Sequence, residues 1–136
     1  MEPRPLIHTY GMSFDIHFQR FEDGDAGTGG GDEARRVLGP YLQPSVTTPE
    51  RIERDGSSAE IYGLEDGSMM VTHIQGDGLW GLLVDAAREA EWAIMPVGCP
   101  AIVFSQAMID ALPEGLDVDA VIISSGHELY ETILAR

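Results

Sequence analysis

The chain has 136 residues, 43% of them hydrophobic, which suits one domain with a real core and argues against overall disorder. Eight basic residues stand against 23 acidic ones, a net charge of −15, and all eight are arginines. Without lysine, Schiff-base chemistry and P-loop phosphate capture are excluded, and so acidic a surface repels nucleic-acid phosphates and anionic lipid heads.

The charge is uneven. Residues 1–54 hold six arginines against nine acids, whereas residues 55–135 hold only Arg88 against fourteen. The single cysteine, Cys99, allows neither an internal disulfide nor a multi-cysteine zinc site. The first eight residues lack the apolar core of a signal peptide, and no run reaches the roughly 18 apolar residues of a membrane span. The expected location is the cytoplasm, and no cofactor is expected.

Residues 1–12 contain two prolines and no periodicity, so a tail is expected there, followed by a single α+β domain over 13–136. Phe14, Ile16 and Phe18 alternate with Asp15, His17 and Gln19, the period of a half-buried strand. An acidic glycine-rich loop is expected over 22–31. A short helix follows with Asp32 as N-cap, Val37, Leu38 and Leu42 on its apolar stripe, and Gly39-Pro40 as its stop. Thr48-Pro49-Glu50 predicts a second helical turn. Strands over 59–64 and 69–74 flank Glu65-Asp66-Gly67-Ser68, a hairpin signal. A helix over 79–91 is capped by Asp77 and buries Leu79, Leu83, Ala87 and Ala90.

Strands are then predicted at 92–97, 101–104 and 120–124, the last compact and buried. Ser105 opens a helix reaching Leu112, and Ser125-Gly-His-Glu128 is a capping box for the final helix. The order over 13–97 predicts a ferredoxin-like split βαβ sandwich (β-α-β-β-α-β). A β-α-β-α extension follows, with helices on one face of a mixed sheet.

Several motifs are tempting. Gly27-Thr28-Gly29 begins a dinucleotide turn, but Asp32 occupies the third glycine position. Asp23 and Asp25 open like a calcium loop, yet Gly27, Thr28 and Ala34 stand where an EF-hand needs oxygen, glycine and glutamate. Cys99 sits in a Gly-Pro turn with no histidine or helix N-terminus adjacent to activate it. Trp80 and Trp92 are expected in the core, and no serine lies in a nucleophile elbow. His8 and His127 fall in the tail and on a helix surface. Asp15, His17 and His73 remain as catalytic or metal candidates, provided that the first and third strands bring them to one sheet face.

Charge therefore leads the functional expectation: a non-catalytic acidic interaction module that binds a basic partner protein, as immunity proteins and antitoxins do. The alternatives are a small enzyme or ligand-binding domain using Asp15, His17 and His73, and an assembly subunit forming a homodimer through a sheet edge. Acidity serving only solubility is the plainest account.

Overall fold

The computed structural model describes residues 15–43 and 50–135. The strands are β1 (Ile16–Gln19), β2 (Phe21–Glu22), β3 (Asp25–Ala26), β4 (Leu42–Gln43), β5 (Glu50–Arg54), β6 (Ser57–Glu65), β7 (Ser68–Gln75), β8 (Ala93–Pro96), β9 (Ile102–Val103) and β10 (Val121–Ile122). The helices are α1 (Gly31–Leu38), α2 (Trp80–Ala90), α3 (Gln106–Ala111) and α4 (Gly126–Leu134). Eight strands form one sheet in the order β10-β9-β8-β1-β7-β6-β5-β4, while β2 and β3 make a separate hairpin. Only β9 and β10 run parallel, so the fold is α+β with a mixed sheet.

Alternation decides which face of the sheet is covered. Ile16 and Phe18 turn into the main core with Ile52, Ile61, Val71, Ile94 and Ile102. Against them lie Ala34 and Leu38 of α1, the buried side of α2, and Leu129 and Ile133 of α4. Leu79 at the cap of α2, and Leu83, Ala87 and Ala90 within it, are fully buried as their spacing predicts. Each large apolar side chain so enclosed contributes about 1.5–3 kcal/mol. Trp92 lies fully buried beside Phe18, its indole N–H donating to Gly29 O at 3.1 Å. Trp80 packs on Tyr130 with ring centroids 5.5 Å apart.

The sheet is wider than the sequence pattern suggests. Thr48 and Pro49 lie outside the described residues, but Glu50 begins β5 rather than a helical turn. Asp55-Gly56, with φ of +53° and +80°, closes β5 onto β6 as a type I′ turn. Asp23-Gly24 does the same at +52° and +84°, folding part of the expected loop into the β2–β3 hairpin. The cap of α1 is Gly30 at φ +104°, not Asp32, and the cap position of α2 is Leu79, not Asp77. Leu42 leaves the helix and enters β4. The serine caps hold: Ser105 Oγ accepts from Met108 N–H and Ser125 Oγ from Glu128 N–H, each at 3.2 Å.

Two expectations about layers need correction. Helix α3 does not share the face of the other helices. It belongs to a second cluster in which Met108 and Ile109 meet Ala93, Ala101, Val103 and Leu112, opposite Ile94 and Ile102 of the same strands. Strand β10 is no buried strand but the sheet's end, with Ile122 50% exposed. Phe14 and the tail lie outside the described residues.

Gly30 tests the packing under Trp92. A Cβ there would meet Trp92 Nε1 at 2.5 Å and Ala90 O at 2.6 Å, on a backbone at φ +104°. Gly30→Ala is expected to lose about 2–4 kcal/mol in urea unfolding.

Candidate functional site

Beyond the reach of α3, the described residues leave the second sheet face bare. Two β-bulges shape it. Between Tyr62 and Glu65 the extra residue lies on β6, where Gly63 takes φ +61°, and between Ser58 and Glu60 it lies on β7, where His73 takes φ +54°. Glycine adopts that conformation freely, whereas histidine in it costs about 1–2 kcal/mol. The bulge turns His73 outward, 63% exposed, and sets its Nδ1 2.9 Å from Glu60 Oε1. Tyr62 Oη donates to the same oxygen at 3.1 Å. An ionised carboxylate only accepts, so Nδ1 carries the proton.

The cluster perturbs its own members. The His73 hydrogen bond, ahead of other causes, holds the Glu60 carboxyl below its ordinary value of 4.5. Partial burial first, then the Glu60 carboxylate, push the Tyr62 phenol upward, with Asp15 adding repulsion. His17 sits on the bare face between Met70 and Met95, its cross-strand neighbours. It lines a shallow depression of about 550 Å3 with Gln19, Tyr62, Met70 and Met95. Asp15, His17 and His73 thus each find different neighbours, and no hydrogen bond joins them. No three of the described His, Cys, Asp and Glu residues stand close enough to hold a metal ion.

A second feature arises at the far end of the sheet. Gly24 N–H donates to Ala111 O at 2.9 Å, docking the β2–β3 turn on the end of α3. That contact sets Asp23 and Asp25, which flank Gly24, on the end of α3 that bears Asp110, and the chain leaving α3 carries Glu114, Asp117 and Asp119; with Glu22, all seven are exposed. Asp23 and Asp25 therefore belong to a hairpin tip rather than a ligand loop. Among the described residues no ion pair reaches any of these seven carboxylates. The arginines nearest them are held elsewhere. Arg20 bonds Ala90 O at 2.8 Å and pairs with Glu91, while Arg88 bonds Ser124 O at 2.6 Å, pairs with Asp85 and covers Phe104. These two arginines line a cleft of about 380 Å3 with Phe21, Phe104 and Met108.

Apolar side chains accompany the acids. Val118 is 82% exposed, Ile122 50% and Leu116 38%, half of the large exposed hydrophobics of the described chain within seven residues. Acidity over 55–135 was legible in the sequence, but its meeting with the hairpin was not. Glu60 and Tyr62 were also missed. Their alternation with Ala59 and Ile61 marked them as outward, yet nothing in the sequence paired them with His73.

Cys99 is partly buried against the main core, and His127 stands exposed 3.1 Å from Glu131. No protein family, curated protein or solved structure matches the chain.

Two outcomes follow at His73. His73→Gly should raise the urea midpoint by relieving the backbone, whereas His73→Val should lower stability by about 1–2 kcal/mol. A depressed folded pKa stabilises above the ordinary carboxylate range and is lost as pH falls through the folded value. The Glu60 carboxyl carbon should therefore titrate below 4.5 in the native protein and shift upward in His73→Ala, as followed by NMR.

Proposed function

We propose that this chain is a non-catalytic acidic interaction module that binds a basic partner protein, an immunity protein or antitoxin being its concrete form. One observation carries the proposal. The Gly24–Ala111 contact sets the acidic β2–β3 turn on the end of α3, the chain from there to β10 carries four more carboxylates with exposed Val118 and Ile122, and among the described residues none of the seven carboxylates has an ion-pair partner. Acidity serving only solubility would be spread over the surface and would not need apolar groups at its centre. Here charge supplies attraction and speed of encounter, and the apolar residues supply burial.

The central strands β8-β1-β7-β6 support a ferredoxin-like split βαβ scaffold, with each strand antiparallel to its neighbours. Its setting is proposed to be the cytoplasm; no helix of the described residues is long and apolar enough to cross a membrane. The strained His73 with Glu60 and Tyr62 favours a second reading, ligand binding or catalysis on the bare face with Asp15 and His17 nearby. A homodimer through a sheet edge is disfavoured, because each copy carries −15.

The test is affinity capture from the source-cell lysate with the immobilised protein, read by mass spectrometry. A basic protein should be retained at about 20 mM salt and released near 1 M, where the screening length falls to about 3 Å. The triple variant Asp110→Asn, Asp117→Asn, Asp119→Asn should retain at least about tenfold less of it. Equal retention by the variant, or no retention at low salt, refutes the proposal.

A further inference from the structure

We infer that the partner engages the free edge of β10 as an added β-strand, an extended segment carrying lysine or arginine between apolar residues. The inference rests on the interaction-module proposal and adds the place and geometry of contact.

Hydrogen bonding identifies the edge. Val121 N–H donates inward to Ala101 O at 2.9 Å and Ile123 N–H to Val103 O at 3.0 Å. Strand alternation then turns the N–H and C=O of Ile122 to the opposite side, where the described residues place no further strand. Such an edge is a template for another chain, and proteins commonly blunt it with charge, proline or a cover. Beyond Ile122 this edge is closed: Ser124 N–H is taken by the Glu128 carboxylate at 2.6 Å and Ser124 O by Arg88. At Ile122 itself no described residue closes it, and half-exposed Ile122 with the more exposed Val118 offers apolar contact.

Charge selects the occupant. Asp117 and Asp119 flank Val118, while Asp110 stands in the last turn of α3 and Glu114 at the start of the loop that follows. An extended segment spaces its side chains by two residues on each face, so one face can present cations to the acids and the other can cover the apolar pair. A second copy of this chain would bring −15 to the same place, and nucleic acid would bring phosphates. A basic strand meets both requirements.

The probe is a ten-residue peptide alternating lysine and valine, compared with the same peptide N-methylated at alternate residues. Methylation preserves charge and apolar content but removes the donors needed for a sheet edge. The unmodified peptide should bind at least about tenfold tighter and slow exchange of the Ile122 amide proton. Ile122→Pro removes the outward N–H, which an edge strand tolerates, together with the apolar side chain, so Ile122→Ala is its control: both should keep the native circular dichroism, and the proline variant should bind at least about tenfold more weakly than the alanine one. Should Ile122→Pro fail to fold, exchange at Ile122 in the native protein decides alone.

Equal binding of the two peptides, or unchanged exchange at Ile122, overturns strand addition while leaving the charge-based module intact. Capture of no basic protein in the lysate experiment would remove the module itself. A dimer in sedimentation that the peptide fails to dissociate would make a second copy the occupant and also overturn the inference.

Discussion

An apolar core on one face of a single sheet must hold together a chain whose charges repel one another. Hydrophobic association is non-directional and is concentrated where α1, α2 and α4 cover the sheet. Carboxylates are excluded from that layer, because a buried, unpaired anion costs several kcal/mol. They are displaced to turns, helix exteriors and the sheet's ends. The scarce arginines then serve as pins. Arg20 reaches Ala90 O, Arg35 reaches Leu64 O at 3.3 Å, and Arg88 reaches Ser124 O, each tying the end of one element to another. Held there, these arginines pair with Glu91, Glu50 and Asp85, and none of them pairs with a carboxylate of the β2–β3 tip or the α3–β10 loop. The negative field at the β2–β3 tip and the α3–β10 loop follows from that division of labour.

Much of the fold was legible because local chemistry and the tertiary structure agree. The S-x-x-E box opens α4, Ser105 opens α3, and the spacing of Leu79, Leu83, Ala87 and Ala90 marks the buried side of α2. Where two local signals competed, tertiary pairing chose between them. Glu50 after Thr-Pro reads as a helix start, but Asp55-Gly56 five residues later turns the segment into a hairpin with β6. Asp23-Gly24 carries the same turn chemistry as Asp66-Gly67, hidden by the surrounding glycines. The capping of α1 departs from side-chain rules, since Gly30 under Trp92 leaves no room for a side chain.

The candidate site was only partly legible, for a geometric reason. Strict alternation from Met69 and Val71 would send His73 inward and Ile74 outward. The bulge in β7 reverses both, burying Ile74 and presenting His73 to Glu60. A bulge is a property of two strands, so one strand's pattern cannot reveal it. The acidic surface was legible as a sum over residues 55–135, whereas its focus depends on the hairpin docking against α3. The burial expected of β10 failed because a short apolar run looks the same at a sheet's end as at its centre.

The described residues thus carry two surfaces of different character: a sheet face they leave bare, with a strained histidine, and an acidic end with apolar residues beside a strand edge they leave open. The account places the function at the second. Titration of the isotope-labelled protein with pentalysine, mapped by NMR, decides between them. The account predicts salt-sensitive shifts concentrated in residues 21–25 and 110–123. Shifts centred instead on His17, Glu60, Tyr62 and His73, or spread evenly over all exposed carboxylates, would contradict it.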